Sequence, residues 1–394
     1  MIPGYYEFCN SAKIVSGTKA IEHIGYELAS LGASRPLVLT NKQLRDLKVA
    51  TVVLDALQDT EAEVVAVYDD VPVDSSVAVV NDVARMYRET GADAIVAVGG
   101  GSVLDTAKGA TIVLTHGAED LMEYRGAESL MGRRAVAFIA IPTTAGTGSE
   151  VTSAAVIKDT ERHVKMGFTS LSLLPDVAIL DPRMTVGLPP RLTASTAMDA
   201  LTHAVESFSC VQANPLSDCY ARAAIDLIRE YLPTVMAHPK DRGARLALAN
   251  AALLAGAAFS NAMVGIVHAM GHATGGVAEV PHGDAMAILL PHGMTYNLDA
   301  AGDRYGELLM NLAGAEVYAS TPRDERPAAA IEAVRSMMRT LHEQAGLPLT
   351  LGEAGVLPEH ISEIATAALN DGAMSMNPKQ PTYEELTAIL KDAL

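Results

Sequence analysis

The order of short apolar runs and amphipathic stretches limits the folds open to this chain more than any other feature. In the first half, PLVLTN (36–41), EVVAVY (63–68), AIVAVG (94–99), AVAFIAI (135–141) and VAILD (177–181) are apolar at successive positions. Strands covered on both faces read this way, whereas half-exposed strands alternate. Helical patterns lie between them: IEHIGYELASLG (21–32), LRDLKVATVVLDALQ (44–58) and SSVAVVNDVARMYRETG (75–91). The first and last end in Gly, which closes helices readily in the left-handed region. Such strand–helix alternation predicts a doubly wound α/β domain with a parallel sheet. The pattern stops near residue 185. LPPRLTAST (188–196) reads as a linker into a helix, with Pro, Thr and Ser suited to its first turn. Beyond it the windows 215–233, 243–259, 326–345, 358–369 and 383–393 read as helices, and no strand is predicted. The expected organisation is therefore α/β over 1–185 and all-α over 186–394.

A length of 394 residues also exceeds one ordinary hydrophobic core. The net charge of −18 argues against nucleic acid or an anionic membrane as partner, since both need a basic face. Cys9, Cys210 and Cys219 are too few and too scattered for a disulfide framework, and an odd count points to a reducing compartment. The opening MIPGYYEFCNSAKIVSG has no basic segment followed by an apolar run, so no secretory signal is expected. The runs VAFIAI and AILL are far short of a membrane span. A cytoplasmic protein is expected. TPRDERP (321–327) reads as a solvated turn without a function.

Two loops carry chemistry in the first half. GGGSVLDTAKG (99–109) follows the strand AIVAVG and opens a helix. Gly99, Gly100 and Gly101 let the backbone approach a phosphate without a Cβ clash, and free N–H groups at the helix start, with Ser102, suit an anion. The string is neither GxGxxG nor a P-loop, and such a turn also serves simply to pack a helix closely. IPTTAGTGSEVT (141–152) follows the next strand, and seven of its twelve residues are Gly, Thr or Ser. Thr143, Thr144, Thr147 and Ser149 are candidate donors. Both loops lie at carboxyl ends of strands, where open α/β sheets bind ligands. No GxSxG elbow and no Cys in a catalytic context is present, so nucleophilic catalysis is not expected.

The second half carries a metal-ligand pattern. Asp199 and His203 are four apart in MDALTHAVE (198–206), so on a helix both leave the same face. His268 and His272 repeat the spacing in HAMGHATGGVAEVPHG (268–283), and His282 follows in a Pro-His-Gly turn. One carboxylate with several imidazoles is a donor set for a first-row divalent metal, which would act as a Lewis acid on a carbonyl or alcohol oxygen. Spacing nominates His272 as readily as His282.

The five strings GGGSVLDTAK, IPTTAGTGSE, MDALTHAVE, HAMGHATGG and PHGDAMAILLPHGMTYN, in this order, resemble the iron-containing (group III) alcohol dehydrogenases. The resemblance runs from about residue 5 to the C-terminus and includes the closing NPKQPTYEEL (377–386). It implies an N-terminal Rossmann-like dinucleotide-binding domain, a C-terminal all-helical metal-binding and substrate domain, and a catalytic metal in the cleft between them. It implies Asp199, His203, His268 and His282 as ligands of one divalent ion, Fe2+ first, with Zn2+ also possible. His272 then matches a His beside the nicotinamide. The loop at Gly99, Gly100, Gly101 and Ser102 matches the pyrophosphate site; Asp105, Thr143, Thr144, Thr147 and Lys165 match cofactor-facing positions, with Ser149 beside them. Phe259 matches an aromatic lining the substrate pocket.

Three positions depart from that pattern. Asn41 stands where NAD-preferring members usually have Asp, which accepts from the adenosine ribose and repels a 2′-phosphate. Asn repels nothing, and Lys42 is adjacent, so NAD is expected with NADP possible. Val73 replaces a common Asn, and Ala197 replaces a common Gly, a change a helix tolerates. The function implied is a metal-dependent NAD(P) oxidoreductase that interconverts primary alcohols and aldehydes by hydride transfer, acting as a homodimer or larger homo-oligomer. A glycerol-dehydrogenase-like enzyme on the same scaffold stays open. A dehydroquinate-synthase-like lyase would need a basic pocket, and few Lys or Arg lie near the ligand motifs after residue 240. The intact cofactor loops together with all four ligands argue against a non-catalytic metal-binding scaffold.

Overall fold

A computed structural model describes residues 3–394 apart from 126–129, 131, 133 and 163. Contacts divide the chain into two units, Cys9–Gly187 and Leu188–Leu394, the second including the N-terminal segment up to Phe8. The first unit holds a six-stranded sheet. Its strands are β1 (Lys13–Ser16), β2 (Pro36–Leu39), β3 (Ala66–Tyr68), β4 (Ala94–Gly99), β5 (Ala137–Pro142) and β8 (Val177–Leu180). They lie in the order β1-β8-β5-β4-β2-β3, and every pairing is parallel. Alternate side chains enter two separate cores. Leu37, Leu39, Ile95, Ala97 and Phe138 share one, and Val38, Val96, Val98, Ile139 and Ile179 share the other. That two-sided burial is why these strands lack polar alternation.

The strand order places the ligand crevice. From β2 the chain winds outward to β3; from β4 it winds the opposite way through β5 to β8. The reversal between β2 and β4 is a topological switch point, where successive loops leave the sheet on opposite sides and open a crevice at the carboxyl ends. Asn41 follows β2, and the triple glycine ends β4 and opens α5 (Gly101–His116).

Three features depart from the predicted elements. Strand β1 pairs only with β8 and is mostly exposed, so it shows no apolar run. Residues 154–169 form an antiparallel hairpin of β6 (Ala154–Asp159) and β7 (Val164–Thr169), whose mixed exposure hides it from a search for buried strands. The run 44–58 is two helices, α2 (Lys42–Asp46) and α3 (Val49–Gln58), parted at Lys48 with φ 58°. Helices α1 (Ile24–Ser30) and α4 (Val77–Thr90) complete the layers, and α4 closes on Gly91 at φ 62°.

The second unit is helical: α6 (Pro190–Ser209), α7 (Pro215–Ala237), α8 (Arg242–Ala262), α9 (Ile266–Ala278), α10 (His282–Tyr296), α11 (Leu298–Ala313), α12 (Ala315–Ser320), α13 (Arg326–Ala345), α14 (Ile361–Leu369) and α15 (Tyr383–Asp392). The first residues, expected with the α/β domain, lie instead with these helices, and the Phe8 ring sits 5.3 Å from that of Tyr220. Helix α8 is long and apolar enough to cross a membrane, but 61% of that window is buried, as befits a core helix. His282, expected in a turn, is the first residue of α10.

Candidate metal centre and cofactor loops

Helix α6 is buried along most of its length, so the polar groups on its inner face are drawn out of water. Asp199, His203 and Glu206 share that face at helical spacing. Helix α9 brings His268 alongside, and the start of α10 brings His282. Asp199, His268 and His282 each place one ligand atom within 4.8 Å of the others. His282 Nε2 lies 3.3 Å from Asp199 Oδ1. His203 stands beside this trio rather than in it. Its Nδ1 is 3.7 Å from Asp199 Oδ1, and its ring stacks on Phe259 at 4.2 Å and on His268 at 4.5 Å.

Six buried side-chain polar atoms among the described residues lack a hydrogen-bond partner, and three of them meet here: Asp199 Oδ1, His203 Nδ1 and His268 Nε2. Orphaned buried polar atoms are costly and rare. Burial pushes the His203 imidazole down to about 3 and that of His268 well below its ordinary value. Both rings are therefore neutral at pH 7 with a lone pair to give. Burial pushes the Asp199 carboxyl up, but the rings of His203, His282 and His268 outweigh it and hold it below the usual carboxylate range. An ionised carboxylate with neutral imidazoles and unfilled donor atoms fits a divalent metal.

The helices are held in register by groups that spacing did not nominate. Glu206 Oε2 lies 2.5 Å from His268 Nδ1, and its oxygens accept the N–H of Val267 at 2.8 Å and of His268 at 3.3 Å. Burial pushes the Glu206 carboxyl up to about 7. Asn377, from the closing NPKQP string, accepts from Ile266 N at 3.2 Å and exchanges hydrogen bonds with the Asn297 amide. A Cβ at Gly265 would sit 2.7 Å from Asn377 Oδ1, and one at Gly283 would sit 2.5 Å from Ser195 O. Both glycines are therefore required by close approach. Arg191 makes a two-pronged pair with Asp284, at 2.9 and 2.6 Å, joining α6 to the start of α10, which carries His282. One turn beyond His268, His272 Nδ1 is 3.0 Å from Asp371 Oδ2. Burial pushes the Asp371 carboxyl up, but His272 outweighs it and holds it below its ordinary value.

In the α/β unit the two loops lie side by side. Thr143 N donates to Gly99 O at 3.1 Å, and a Cβ at Gly101 would sit 3.1 Å from the Thr147 methyl. Thr144 stands 3.4 Å from a Cβ at Gly100. Side chains there would fill the space above the turn. Ser102 Oγ donates to Val73 O. Lys165 projects from β7 and pairs with Asp74 at 2.9 Å. Asn41 is the N-cap of α2, and its Oδ1 accepts from Leu44 N at 2.9 Å. That oxygen is partly used by the cap, while the amide N–H groups of Asn41 remain free to donate to a ligand.

Asp105 and Ser149, expected to face the cofactor, turn toward the protein. Asp105 accepts from Ser149 Oγ and from Val156 N, each at 2.9 Å. Ser149 in turn accepts from Lys108, which sequence reasoning passed over. Lys108 is fully buried and donates to Ser149 Oγ at 2.9 Å, Thr152 Oγ1 at 2.8 Å and Ala154 O at 2.7 Å. Burial pushes its ammonium down to about 8 and pushes the neighbouring Glu150 carboxyl up to about 7.

Comparison with known proteins matches residues 11–182 to the iron-containing alcohol dehydrogenase family and residues 193–394 to its C-terminal region. The chain belongs to the iron-containing alcohol dehydrogenase family. It is 39% identical over 379 residues to the 1,3-propanediol dehydrogenase of Klebsiella pneumoniae, covering 96% of both chains. It is 34% identical over 380 residues to the NAD-dependent methanol dehydrogenase of Bacillus methanolicus, covering 96% of this chain and 97% of that one. A crystal structure of a 1,3-propanediol oxidoreductase superposes with a TM-score of 0.93 at 36% identity, over 99% of this chain and 100% of that chain. As an iron-containing alcohol dehydrogenase, the protein is a nicotinamide-linked, metal-dependent oxidoreductase of small alcohols and aldehydes.

Proposed function

We propose that this alcohol dehydrogenase interconverts short primary alcohols and their aldehydes, with the α/β unit Cys9–Gly187 as the dinucleotide-binding domain and the helical unit as the metal and substrate domain. Asp199, His203, His268 and His282 hold one divalent ion, Fe2+ ahead of Zn2+. The observation that carries the reading is the meeting of three orphaned buried donor atoms in one cluster. Joining the cluster, His203 would turn its ring from the edge of the trio. When bound, the metal supplies Lewis acidity at the alcohol oxygen and the nicotinamide accepts the hydride. The Gly99–Ser102 turn cradles the pyrophosphate with backbone N–H groups, while Thr143, Thr144, Thr147 and Lys165 orient the nicotinamide half of NAD. Asp105 and Ser149 shape that loop from beneath. Phe259, flat against His203, gives the substrate carbon chain an apolar wall. His272 takes the alcohol proton at Nε2.

Two relatives are named for methanol and 1,3-propanediol, both small primary alcohols, which supports the substrate class. Cytoplasmic residence and a homodimer or larger homo-oligomer belong to the same reading. The test is reduced-cofactor absorbance over a panel of primary alcohols and aldehydes, with NAD and NADP, alongside elemental analysis. Wild type is expected to hold one metal per chain and to turn over short primary alcohols, and His282→Ala to lose both. Full metal occupancy in His282→Ala, or a metal-loaded wild type inert toward every alcohol and aldehyde, overturns the proposal.

A further inference from the structure

Asp371 lies just before the short turn Gly372–Met376, ninety-nine residues from His272 in sequence. Its two oxygens have separate partners. Oδ1 accepts from Ala373 N at 2.8 Å and caps the turn, while Oδ2 lies 3.0 Å from His272 Nδ1. A carboxylate can only accept, so the hydrogen on that line belongs to Nδ1. His268, on the same helix four residues earlier, has the same arrangement: Nδ1 faces Glu206, and Nε2 is left buried without a partner. Both α9 histidines thus have Nδ1 engaged by a carboxylate from elsewhere in the unit. The two differ in access. The His268 side chain is 3% exposed and that of His272 is 36% exposed.

We propose that Asp371 is the positioning residue for His272, fixing the tautomer with hydrogen on Nδ1 and leaving Nε2 as the ring's only basic atom. This rests on the reading of His272 as the proton acceptor. In alcohol oxidation the alcohol O–H bond breaks and an Nε2–H bond forms. The C–H electron pair leaves with the hydride to the nicotinamide, and the proton passes from the part-exposed ring to water. The imidazolium formed meanwhile faces the Asp371 carboxylate. The His272 ring lies nearly parallel to that of His282, ring centroids 5.5 Å apart and planes 16° from parallel.

Asp371→Asn separates the tautomer from the fold. Asn keeps an oxygen for Ala373 N, and Asn is as good a cap as Asp. It presents an N–H to His272 Nδ1, which must then accept, so the hydrogen moves to Nε2. Expected are an unchanged melting temperature, unchanged metal content, a KM for alcohol within about twofold, and a single-turnover rate of cofactor reduction lower by about 10²–10³-fold. His272→Ala should lose a similar factor, and the double variant should lose little more. Asp371→Glu keeps a carboxylate within reach of Nδ1 and should retain more activity than Asp371→Asn. A folded Asp371→Asn with a wild-type single-turnover rate, beside an impaired His272→Ala, overturns the role of Asp371. If Asp371→Asn fails to fold, a folded Asp371→Glu no better than His272→Ala overturns it instead. A fully active His272→Ala removes the reading on which it rests.

Discussion

Two buried polar clusters in this protein are built on opposite plans. Around Lys108 the strong donors and acceptors are used: three hydrogen bonds leave the ammonium and two enter Asp105. Around Asp199 three buried atoms of the same chemical strength have no partner. Both clusters carry the cost of burying charge or dipole. One recovers it within the protein, and the other is left for something outside the chain to recover. The first plan suits a support beneath the Gly- and Thr-rich loops and the second suits a receptor, and the count of unpartnered atoms tells them apart where burial does not.

The largest effect is expected where the network is complete. Lys108→Met leaves Ser149, Thr152 and the Ala154 carbonyl without their donor and leaves Asp105 and Glu150 without a nearby cation. Stability should fall by about 3–5 kcal/mol, the usual result of removing one partner from a buried charged set. Chemical denaturation followed by circular dichroism measures it, and a loss below about 1 kcal/mol would show that the network is not structural.

Asp199→Asn should behave in the opposite way. The metal-free variant should differ little in stability from metal-free wild type, because relief of the carboxylate's desolvation is offset by loss of its attraction to the neighbouring imidazoles. Adding divalent metal at about a hundred times its dissociation constant should stabilise wild type by about 2.7 kcal/mol and Asp199→Asn hardly at all. Thermal melts with and without Fe2+ or Zn2+ read both halves of the comparison. Equal stabilisation of the two proteins would mean that the metal binds elsewhere.

How much of this was legible in the sequence follows the same physics. The strand Ala94–Gly99 is buried on both faces and reads plainly, whereas Ala154–Asp159 and Val164–Thr169 are part exposed and do not. Asp199 with His203, and His268 with His272, are visible because a helix turns a four-residue spacing into a shared face. Choosing His282 required the family resemblance, since α10 meets α6 and α9 only in the fold. Glu206 was within reach of sequence reasoning: it stands three residues after His203, on the face that Asp199 and His203 share, a place where a carboxylate needs a partner. Lys108, three residues after Asp105 in a buried helix, carried the same signal. Asp371 carried none, because its partner lies ninety-nine residues away and no local pattern connects them.

The smallest effect sharpens the comparison at the rim of the α/β unit, where groups are wet. Asn41 uses its oxygen to cap α2, so its amide N–H groups are what it most readily offers a ribose. Lys42 pairs with Asp70 at 2.8 Å, both side chains 69% exposed. A pair so exposed is screened and worth little, so it neither draws in a 2′-phosphate strongly nor repels it. Wild type should therefore prefer NAD by roughly ten- to a hundred-fold at most, about 1.4–2.8 kcal/mol. Asn41→Asp keeps the cap with one oxygen and turns the other group from donor to acceptor. It can then accept from a ribose hydroxyl, and its charge opposes a 2′-phosphate, the repulsive element that enforces rejection. The preference for NAD should rise by about tenfold, or about 1.4 kcal/mol, with no change in thermal stability. The measurement is kcat/KM for both cofactors in both proteins. A wild type that already rejects NADP by more than about ten-thousand-fold would place the discriminating group elsewhere in the crevice between β2 and β4.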